Sequence, residues 1–363
     1  MASTPRTEDP NSYSARPSPA ISVIVSTRNR AHYLPEVLRT LAAQECGTPF
    51  EVIVIDNGST DGTLALLEDW CRRDSRFRTA CEPRPGLSRG KNAGIRMARA
   101  PLLVFTDDDM RVDPRWVESY RSLFAGHEGA LLLAGGPVVP IPHDLAAWPD
   151  WLDEAALADT GLLHHSDERA LVKFEYVWGG NMAVPKLLFD QVGLWDETAG
   201  LQADQRVTRE DSQFYEDTEL QDRARKAGVS TWFCPEAVVY HRVDRRSVTP
   251  RRISSTAFIR GRNDFCQQEL RVWHQVELAP KRNALSAALA LTESLVRWGF
   301  WLILFRISRR KTFFERARRA AFISGRSLDS LRAGRSTTRL FRGAARVAFP
   351  TRSLLLRLTP DVA

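Results

Sequence analysis

Three consecutive carboxylates, Asp107, Asp108 and Asp109, follow directly on a run of apolar and β-branched residues, Leu102-Leu103-Val104-Phe105-Thr106. Carboxylates this close repel one another and need a countercharge. A divalent cation carrying a phosphorylated ligand would supply it, since Mg²⁺ and Mn²⁺ both take oxygen donors. On an extended chain Asp107 and Asp109 point to the same side, so both can face one ligand. The same residues also read as a solvated acidic turn, with Asp113 capping the helix that follows.

The run before the triplet has the pattern of a buried strand in a parallel sheet. Ligands of open α/β sheets bind in the crevice beyond the carboxyl ends of such strands. The neighbouring segments fit that setting. Residues 21–26 form an expected first strand, followed by the polar turn Thr27-Arg28-Asn29-Arg30 and a helical pattern over 33–44 with Pro35 in its first turn. Residues 50–55 form a second strand that runs into Asp56-Asn57-Gly58-Ser59-Thr60-Asp61-Gly62-Thr63, a loop dense in turn formers. A helix then reaches about Arg73, and residues 77–81 make a weaker third strand. Pro85 to Gly94 opens the next helix, and Asp113-Pro114 supplies an N-cap and first residue for the helix after the triplet. Strand and helix alternate four times, the signature of a doubly wound α/β unit with right-handed crossovers. There is no G-x-G-x-x-G, so the usual dinucleotide fingerprint is missing. The polar loops fall after the first, second and fourth strands, on one edge of the sheet.

Farther along, residues 141–170 look irregular, with Trp148, Trp151 and the adjacent His164-His165. Residues 171–184 read as a strand broken at Gly179-Gly180. A helix is expected from Glu216 to Ala227, closed by Gly228. Residues 238–241 make a short strand ending in His241. Charge is unevenly spread. Residues 1–244 hold 26 Lys and Arg against 37 Asp and Glu, whereas residues 245–363 hold 25 against 7. A basic tail on an acidic body suggests an anionic partner. The five cysteines are scattered and form no C-x-x-C pair, which argues against a disulfide framework or a structural zinc site and fits a reducing cytoplasm. Residues 1–19 are rich in Ser, Pro and charge, a disordered lead-in in place of a signal peptide.

Six motifs in order resemble the family 2 glycosyltransferases, enzymes of GT-A fold. They are Val23-Ile24-Val25-Ser26-Thr27-Arg28-Asn29-Arg30, Ile55 to Thr63, Gly90-Lys91-Asn92-Ala93-Gly94, the Asp107-Asp108-Asp109 triplet, Gly179-Gly180-Asn181, and Glu216-Asp217-Thr218-Glu219-Leu220. The resemblance covers roughly residues 20–245 and implies a transferase domain there, with a helical basic region over 246–363. It implies transfer of a sugar from a nucleotide-diphosphate donor to an acceptor hydroxyl, with inversion. It also implies donor contacts from Thr27, Arg28, Asp56, Lys91, Asn92, Asp107 and Asp108, and sugar or acceptor contacts from Trp178, Gly180, Asn181 and Glu216. Asp109 and His241 would hold Mg²⁺ or Mn²⁺, and Asp217 would be the base.

Each residue also has a plainer reading. Asp56 either accepts from a nucleobase N–H or holds an Asx turn. Arg28 and Lys91 either offset diphosphate charge or are solvated. His241 is a ligand or a structural histidine, and Trp178 and Trp148 stack on sugar or pack in the core. For the base, Glu210-Asp211 rivals Asp217 but lacks the helical sequel. At a helix start the dipole favours an ionised Asp217 and makes it a weak base. His164-His165 near Asp167 reads as surface loop.

The tail has one apolar stretch, residues 284–305. Its length could just span a bilayer, but Glu293 and Arg297 sit near its middle and are costly there. Ser286, Glu293 and Arg297 share one stripe, Trp298 and Trp301 suit a membrane interface, and Arg306, Arg309, Arg310 and Lys311 follow. The expectation is a helix lying on an anionic membrane, near a lipid-linked or cell-envelope glycan acceptor, with the protein cytoplasmic and peripheral at the inner face. Packing on the catalytic domain or a partner is the other reading. Nucleic acid is disfavoured because few aromatics interleave with the arginines beyond Phe322. Two other classes stay open: a nucleotidyltransferase-like enzyme, disfavoured because the first turn has no glycine, and a non-catalytic membrane- or polyanion-binding protein, disfavoured by the intact triplet and Asp217.

Overall fold

The computed structural model describes residues 18–152, 154–157, 162–172, 176–197, 216–250, 252–254, 256–257, 284–308, 315–321 and 323–324. The first strand, β1 (Ile21–Thr27), is buried along its whole length, as is β2 (Phe50–Asp56). Strand side chains alternate between faces, so two apolar layers form at once. Val23, Val25, Val52, Val54 and Val104 join Leu34, Leu38 and Trp116 on one face. Ile24, Ile53, Ile55, Leu103 and Phe105 join Ile95, Leu188 and Trp195 on the other. This explains why the strands are apolar throughout instead of alternating.

Helices α1 (Leu34–Ala42), α2 (Thr63–Arg73) and α3 (Leu87–Met97) connect β1, β2, β3 (Phe77–Cys81) and β4 (Leu102–Asp107), all parallel. After β4 come β5 (Met110–Val112), α4 (Trp116–Ala125), β6 (Leu132–Gly135), β7 (Val138–Pro142), α5 (Glu154–Leu157), β8 (Ala170–Val172), β9 (Asn181–Pro185), α6 (Leu187–Val192), α7 (Glu216–Lys226), β10 (Ser230–Phe233) and β11 (Val239–Val243). The eight-stranded sheet has the order β3-β2-β1-β4-β9-β6-β10-β8. Only β9 and β8 run against the rest. A second sheet, β5-β11-β7, lies beside it. The fold is thus the mixed, mostly parallel α/β architecture expected.

Several boundaries differ from the sequence reading. The helix after the triplet starts at Trp116, because Asp113-Pro114 makes a turn: the Asp113 carboxylate accepts from Arg115 N at 3.0 Å and its carbonyl from Trp116 N at 3.0 Å. Residues 171–184 are not one broken strand. They hold parts of β8 at the sheet edge and β9 in its middle. The short helix α5 lies within the stretch read as irregular, and β11 continues past His241 to Val243 because β7 pairs with it that far.

The tail contributes a last helix, α8 (Ala284–Ser308). Leu291, Ser294 and Trp298 on it are buried, and Trp298 packs in one cluster with Ala317, Ala320 and Ala321. Ser324 Oγ donates to Ser294 Oγ at 2.9 Å. Leu302 also touches a small cluster of Leu152, Val243, Val248 and Ile253. Trp298 is therefore inside protein, not at an outer surface as the sequence suggested, while Val296, Phe300 and Ile303 stay exposed. The Glu293–Arg297 pair is present at 2.6 Å and largely exposed, so it contributes little. Among the described residues no helix is long and apolar enough to cross a membrane. Ser286, Arg306 and the basic run after it lie outside the described side chains.

Helix α3 lies close on β1 because two glycines one turn apart face it. A Cβ at Gly90 would overlap the Ser26 hydroxyl, and one at Gly94 would overlap the Ile24 side chain. We therefore expect Gly90→Ala to destabilise the protein by about 1–3 kcal/mol, the usual range for overpacking. Urea unfolding checks this, and an unchanged midpoint would mean that α3 shifts freely on the sheet.

Candidate functional site

The parallel register aligns three strand ends. Ser26 pairs with Asp107, and Thr27 pairs with Asp56. One strand end thus presents the triplet while its neighbours present the turn after β1 and the loop after β2. These two loops are tied together. Asn29 adopts the left-handed conformation at φ 53°, which Asn tolerates better than most residues. Its Oδ1 accepts from Thr60 N at 2.8 Å, and its own N–H donates to Ser59 Oγ at 2.9 Å. Asp56 is buried and accepts from Ser59 N at 3.3 Å, so it does hold an Asx-type turn. Arg28 is half-buried in the turn after β1. Asn57 orders the approach to α3, accepting from Gly86 N at 2.7 Å and donating to the carbonyls of Glu82 and Arg84.

Each carboxylate of the triplet has its own surroundings. Asp107 lies against Gly180, where any Cβ would overlap its carboxylate. Asp108 accepts from Thr27 Oγ1 at 2.7 Å, and Arg30 Nε lies 3.6 Å from its other oxygen. Asp109 Oδ2 is 3.9 Å from a terminal nitrogen of Arg30 and 3.9 Å from His241 Nε2. Burial raises the pKa of Asp107, Lys91 opposing and Asp109 adding to the effect. Burial, reinforced by Asp109, pushes Asp108 up to about 7, with Arg30 opposing.

The second carboxylate centre is Asp217, at the start of α7. It accepts from Gly179 N at 3.0 Å and from Thr218 N at 2.8 Å. Burial first and Glu216 second push it up to about 6, against Lys91 and the two N–H groups. The helix-start expectation is thus reversed in sign: desolvation exceeds the favourable N–H contacts, and Asp217 is a stronger base than a surface aspartate. Glu216 is 8% exposed beside it. The rival Glu210-Asp211 lies outside the described residues. Gly179 and Gly180 carry the link between the two centres. A Cβ on Gly179 would stand 2.8 Å from Asp217 Cβ and 3.2 Å from Lys91 Nζ.

Lys91 is buried and its ammonium sits 4.2 Å from the ring centroid of Trp195. It is therefore a buried cation shared by Asp107 and Asp217, not a solvated one. Asn92 is occupied elsewhere. Its amide donates to Trp195 O at 2.9 Å and accepts from Trp195 N at 3.0 Å, which fixes the segment that carries that ring. Asn181 is wholly buried. It accepts from Trp116 Nε1 and Tyr120 OH, each at 2.7 Å, and donates to the carbonyls of Pro137 and Ala237. Its amide pins β9 to α4 and to both turns beside β6 and β10. Trp178 is half-buried against the core layer and meets His241 edge-on at 5.1 Å. Trp148 packs in the cluster around Leu152 and Val248. His164 pairs with Asp167 in an exposed loop.

Arg30 and Trp195 were not singled out from the sequence. The signal for Arg30 was its place after Asn29, a residue able to turn the chain back. Trp195 gave none, because its contact with α3 spans about a hundred residues. Among the described residues no three His, Cys, Asp or Glu side chains form a closed metal site. Asp109 and His241 still converge as one oxygen and one nitrogen donor. That pair would hold a divalent cation such as Mg²⁺ or Mn²⁺, which takes oxygen and imidazole donors.

Residues 22–150 match the model of Glycosyl transferase family 2. The chain carries a family 2 glycosyltransferase domain. A validoxylamine A glucosyltransferase of Streptomyces hygroscopicus subsp. jinggangensis (strain 5008) is 31% identical over 202 residues, covering 49% of this chain and 47% of that protein. The uncharacterized glycosyltransferase YfnE of Bacillus subtilis (strain 168) is 42% identical over 89 residues, 24% of this chain and 23% of YfnE. The chain thus spans less than half the length of these relatives. The crystal structure of the mannosyltransferase PcManGT from Pyrobaculum calidifontis, in complex with GDP-Man and Mn²⁺, shares the fold with a TM-score of 0.50 at 15% identity. The match covers 94% of this chain and 85% of that one.

The placement of Asn181 gives a prediction. Asn181→Ala would leave Trp116 Nε1 and the Ala237 carbonyl without these partners, while Tyr120 OH keeps the Asn181 carbonyl and Pro137 O keeps Val239 N. The substitution is expected to cost about 2–4 kcal/mol of stability. Urea titration measures this. A variant of native stability would return Asn181 to the list of ligand contacts.

Proposed function

We propose that the protein is an inverting glycosyltransferase that moves a sugar from a nucleotide-diphosphate donor to an acceptor hydroxyl, and that its transferase domain spans residues 20–245. The observation that carries this reading is the pair of carboxylate centres on either side of Gly179-Gly180: Asp107 against Gly180, and Asp217 bonded to Gly179 N. Inversion needs such a division, with a leaving group on one face of the sugar and a base on the other. The missing side chains of Gly179 and Gly180 let Asp107, Asp217 and Lys91 Nζ lie close against this turn.

On the donor side, Asp56 with Thr27 would meet the nucleoside and Arg28 would offset diphosphate charge. Asp107 and Asp108 would hold the ribose or support the metal from behind, and Asp109 with His241 would hold Mg²⁺ or Mn²⁺. When bound, that ion supplies charge neutralisation for the diphosphate as it leaves. Lys91 offsets the repulsion between Asp107 and Asp217. On the acceptor side, Asp217 Oδ1 or Oδ2 takes the hydroxyl proton, with a pKa near 6 that suits a base at neutral pH. Trp178, Gly180, Asn181 and Glu216 line or support that side. The similarity to a glucosyltransferase and to a fold that binds GDP-Man and Mn²⁺ supports the substrate class.

We propose further that the protein is cytoplasmic and peripheral at the inner face of the cell membrane, where a lipid-linked or cell-envelope glycan would be the acceptor. Support comes from the exposed Val296, Phe300 and Ile303 on α8, spaced along one helical face, and from the excess of Lys and Arg over residues 245–363.

Asp217→Asn is expected to keep donor affinity and reduce turnover roughly 10²–10⁴-fold; a large loss in Asp211→Asn instead would move the base there. Turnover should fall as pH drops through about 6, because protonation removes the base. Glu216→Gln should move that acid limb to lower pH, since it removes the neighbouring negative charge. For the tail, the full chain should float with phosphatidylglycerol vesicles and do so less in high salt. The pair Val296→Glu with Phe300→Glu should abolish flotation, and equal flotation of both proteins would rule α8 out as the contact.

A further inference from the structure

We propose that Arg30 is a built-in counter-ion of the acidic triplet: its guanidinium spans Asp108 and Asp109 when no divalent cation is present, and gives up Asp109 when one binds. The inference rests on the reading of Asp109 as a metal ligand.

Three observations carry it. The first is position. Arg30 reaches Asp108 Oδ1 at 3.6 Å and Asp109 Oδ2 at 3.9 Å, the latter being the same oxygen that faces His241. A cation coordinated by that oxygen would sit about 2.0–2.6 Å from it, and so within about 6.5 Å of the guanidinium nitrogen. Two positive groups that close repel in a site with little water, so binding of one disfavours the other.

The second observation is how Arg30 is held. Its backbone is fixed, since Arg30 N donates to Thr63 Oγ1 at 3.0 Å and Asn29 is tied to Ser59 and Thr60. The guanidinium stacks on Tyr33, 4.8 Å from the ring centroid. Tyr33 cannot follow it: the ring is buried, its hydroxyl donates to Asp244, and Arg242 also stacks on it at 5.0 Å. Burial and the Asp244 carboxylate push the Tyr33 phenol up to about 12, so it stays a donor. Motion is thereby confined to the side chain of Arg30.

The third is room to move. The Arg30 side chain is 38% exposed, against 5% for Arg242 beside it. Arg242 is a fixture, bonded to Tyr33 O, His143 and Glu36. Arg30 is a tenant with an open side, and it can turn toward an arriving diphosphate. The consequence is a coupling of metal to donor. A bare cation must displace the guanidinium without compensation, whereas a cation carrying a diphosphate brings negative charge to receive it.

The test is a titration of Mn²⁺ alone, followed by the loss of the free-ion electron paramagnetic resonance signal, with circular dichroism confirming that each variant folds. Arg30→Met should bind Mn²⁺ roughly 3–30-fold more tightly than the wild type, and Asp109→Asn placed on top of it should remove the gain. Arg30→Lys should stay as weak as the wild type; a Lys variant as tight as the Met variant would assign the effect to shape and overturn the proposal. Unchanged or weaker Mn²⁺ binding by Arg30→Met also overturns it, while Mn²⁺ uptake by the wild type with UDP or GDP would leave the metal reading standing. If no protein takes up Mn²⁺ even with those nucleotides, the metal reading itself fails, and this inference with it.

Discussion

The site depends on an imbalance of charge in a place with little water. Asp107, Asp108, Asp109 and Asp217 converge at the end of the sheet, where Lys91 and Arg30 oppose their charge. Burying a carboxylate is costly unless it is paired and hydrogen-bonded. Each of the four meets that cost differently. Asp217 uses two backbone N–H groups, Asp108 a hydroxyl and a guanidinium, Asp107 the ammonium of Lys91, and Asp109 shares Arg30 and faces His241. What remains uncompensated shows as raised pKa values at three of them. A crevice in that condition favours a ligand that brings positive charge to these carboxylates.

Close approach of backbone makes the convergence possible. The site draws on β4, α3, α7 and the turn before β9, which are far apart in the chain. Gly90 and Gly94 let α3 settle on β1 and so carry Lys91 into the interior. Gly179 and Gly180 let the turn before β9 pass under Asp107 and Asp217. Asn181, next in sequence, then locks that turn through four hydrogen bonds to three other elements. The motif Gly-Gly-Asn therefore combines absence of side chain where carboxylates need space with a buried amide where the backbone needs an anchor.

That division also shows what was legible in the sequence. Strands β1, β2 and β4 were plain, because full burial on two faces leaves an uninterrupted apolar run; the short β5 and β10 gave no such run. Helix α7 was plain too, with its acidic first turn and Gly228 at positive φ just past its end. The triplet and Asp217 stood out as carboxylates at element ends. Asn181 and Asn92 read as ligand contacts because polar residues beside a motif give no sign of what they bond to. Their partners, Trp116, Tyr120 and Trp195, lie 61 to 103 residues away, and periodicity reports faces, not partners. The sign of the Asp217 shift was lost for a related reason: a helix start is visible in sequence, but the degree of burial that outweighs it is not. In the tail, the apolar helix was visible, while the side that packs was set by Ala317, Ala320 and Ala321, whose i, i+3, i+4 spacing is only a weak apolar signal among arginines.

The small sheet joins these parts mechanically. Strand β5 begins one residue after Asp109, and Arg242 N on β11 donates to Asp109 O at 3.0 Å. The same strand carries His241 beside the triplet and Val243 in the cluster that Leu302 of α8 touches. Strand β11 therefore reaches from the acidic crevice to the cluster against which the tail helix packs. A helix on a long free linker would let the domain tumble over whatever surface it met. A helix packed on that cluster instead has a set direction relative to β11. Packing alone does not make the two ends sense each other, since spatial succession is not coupling. It does give the exposed face of α8 a defined orientation relative to β11, which the proposed action on a surface-held acceptor would need.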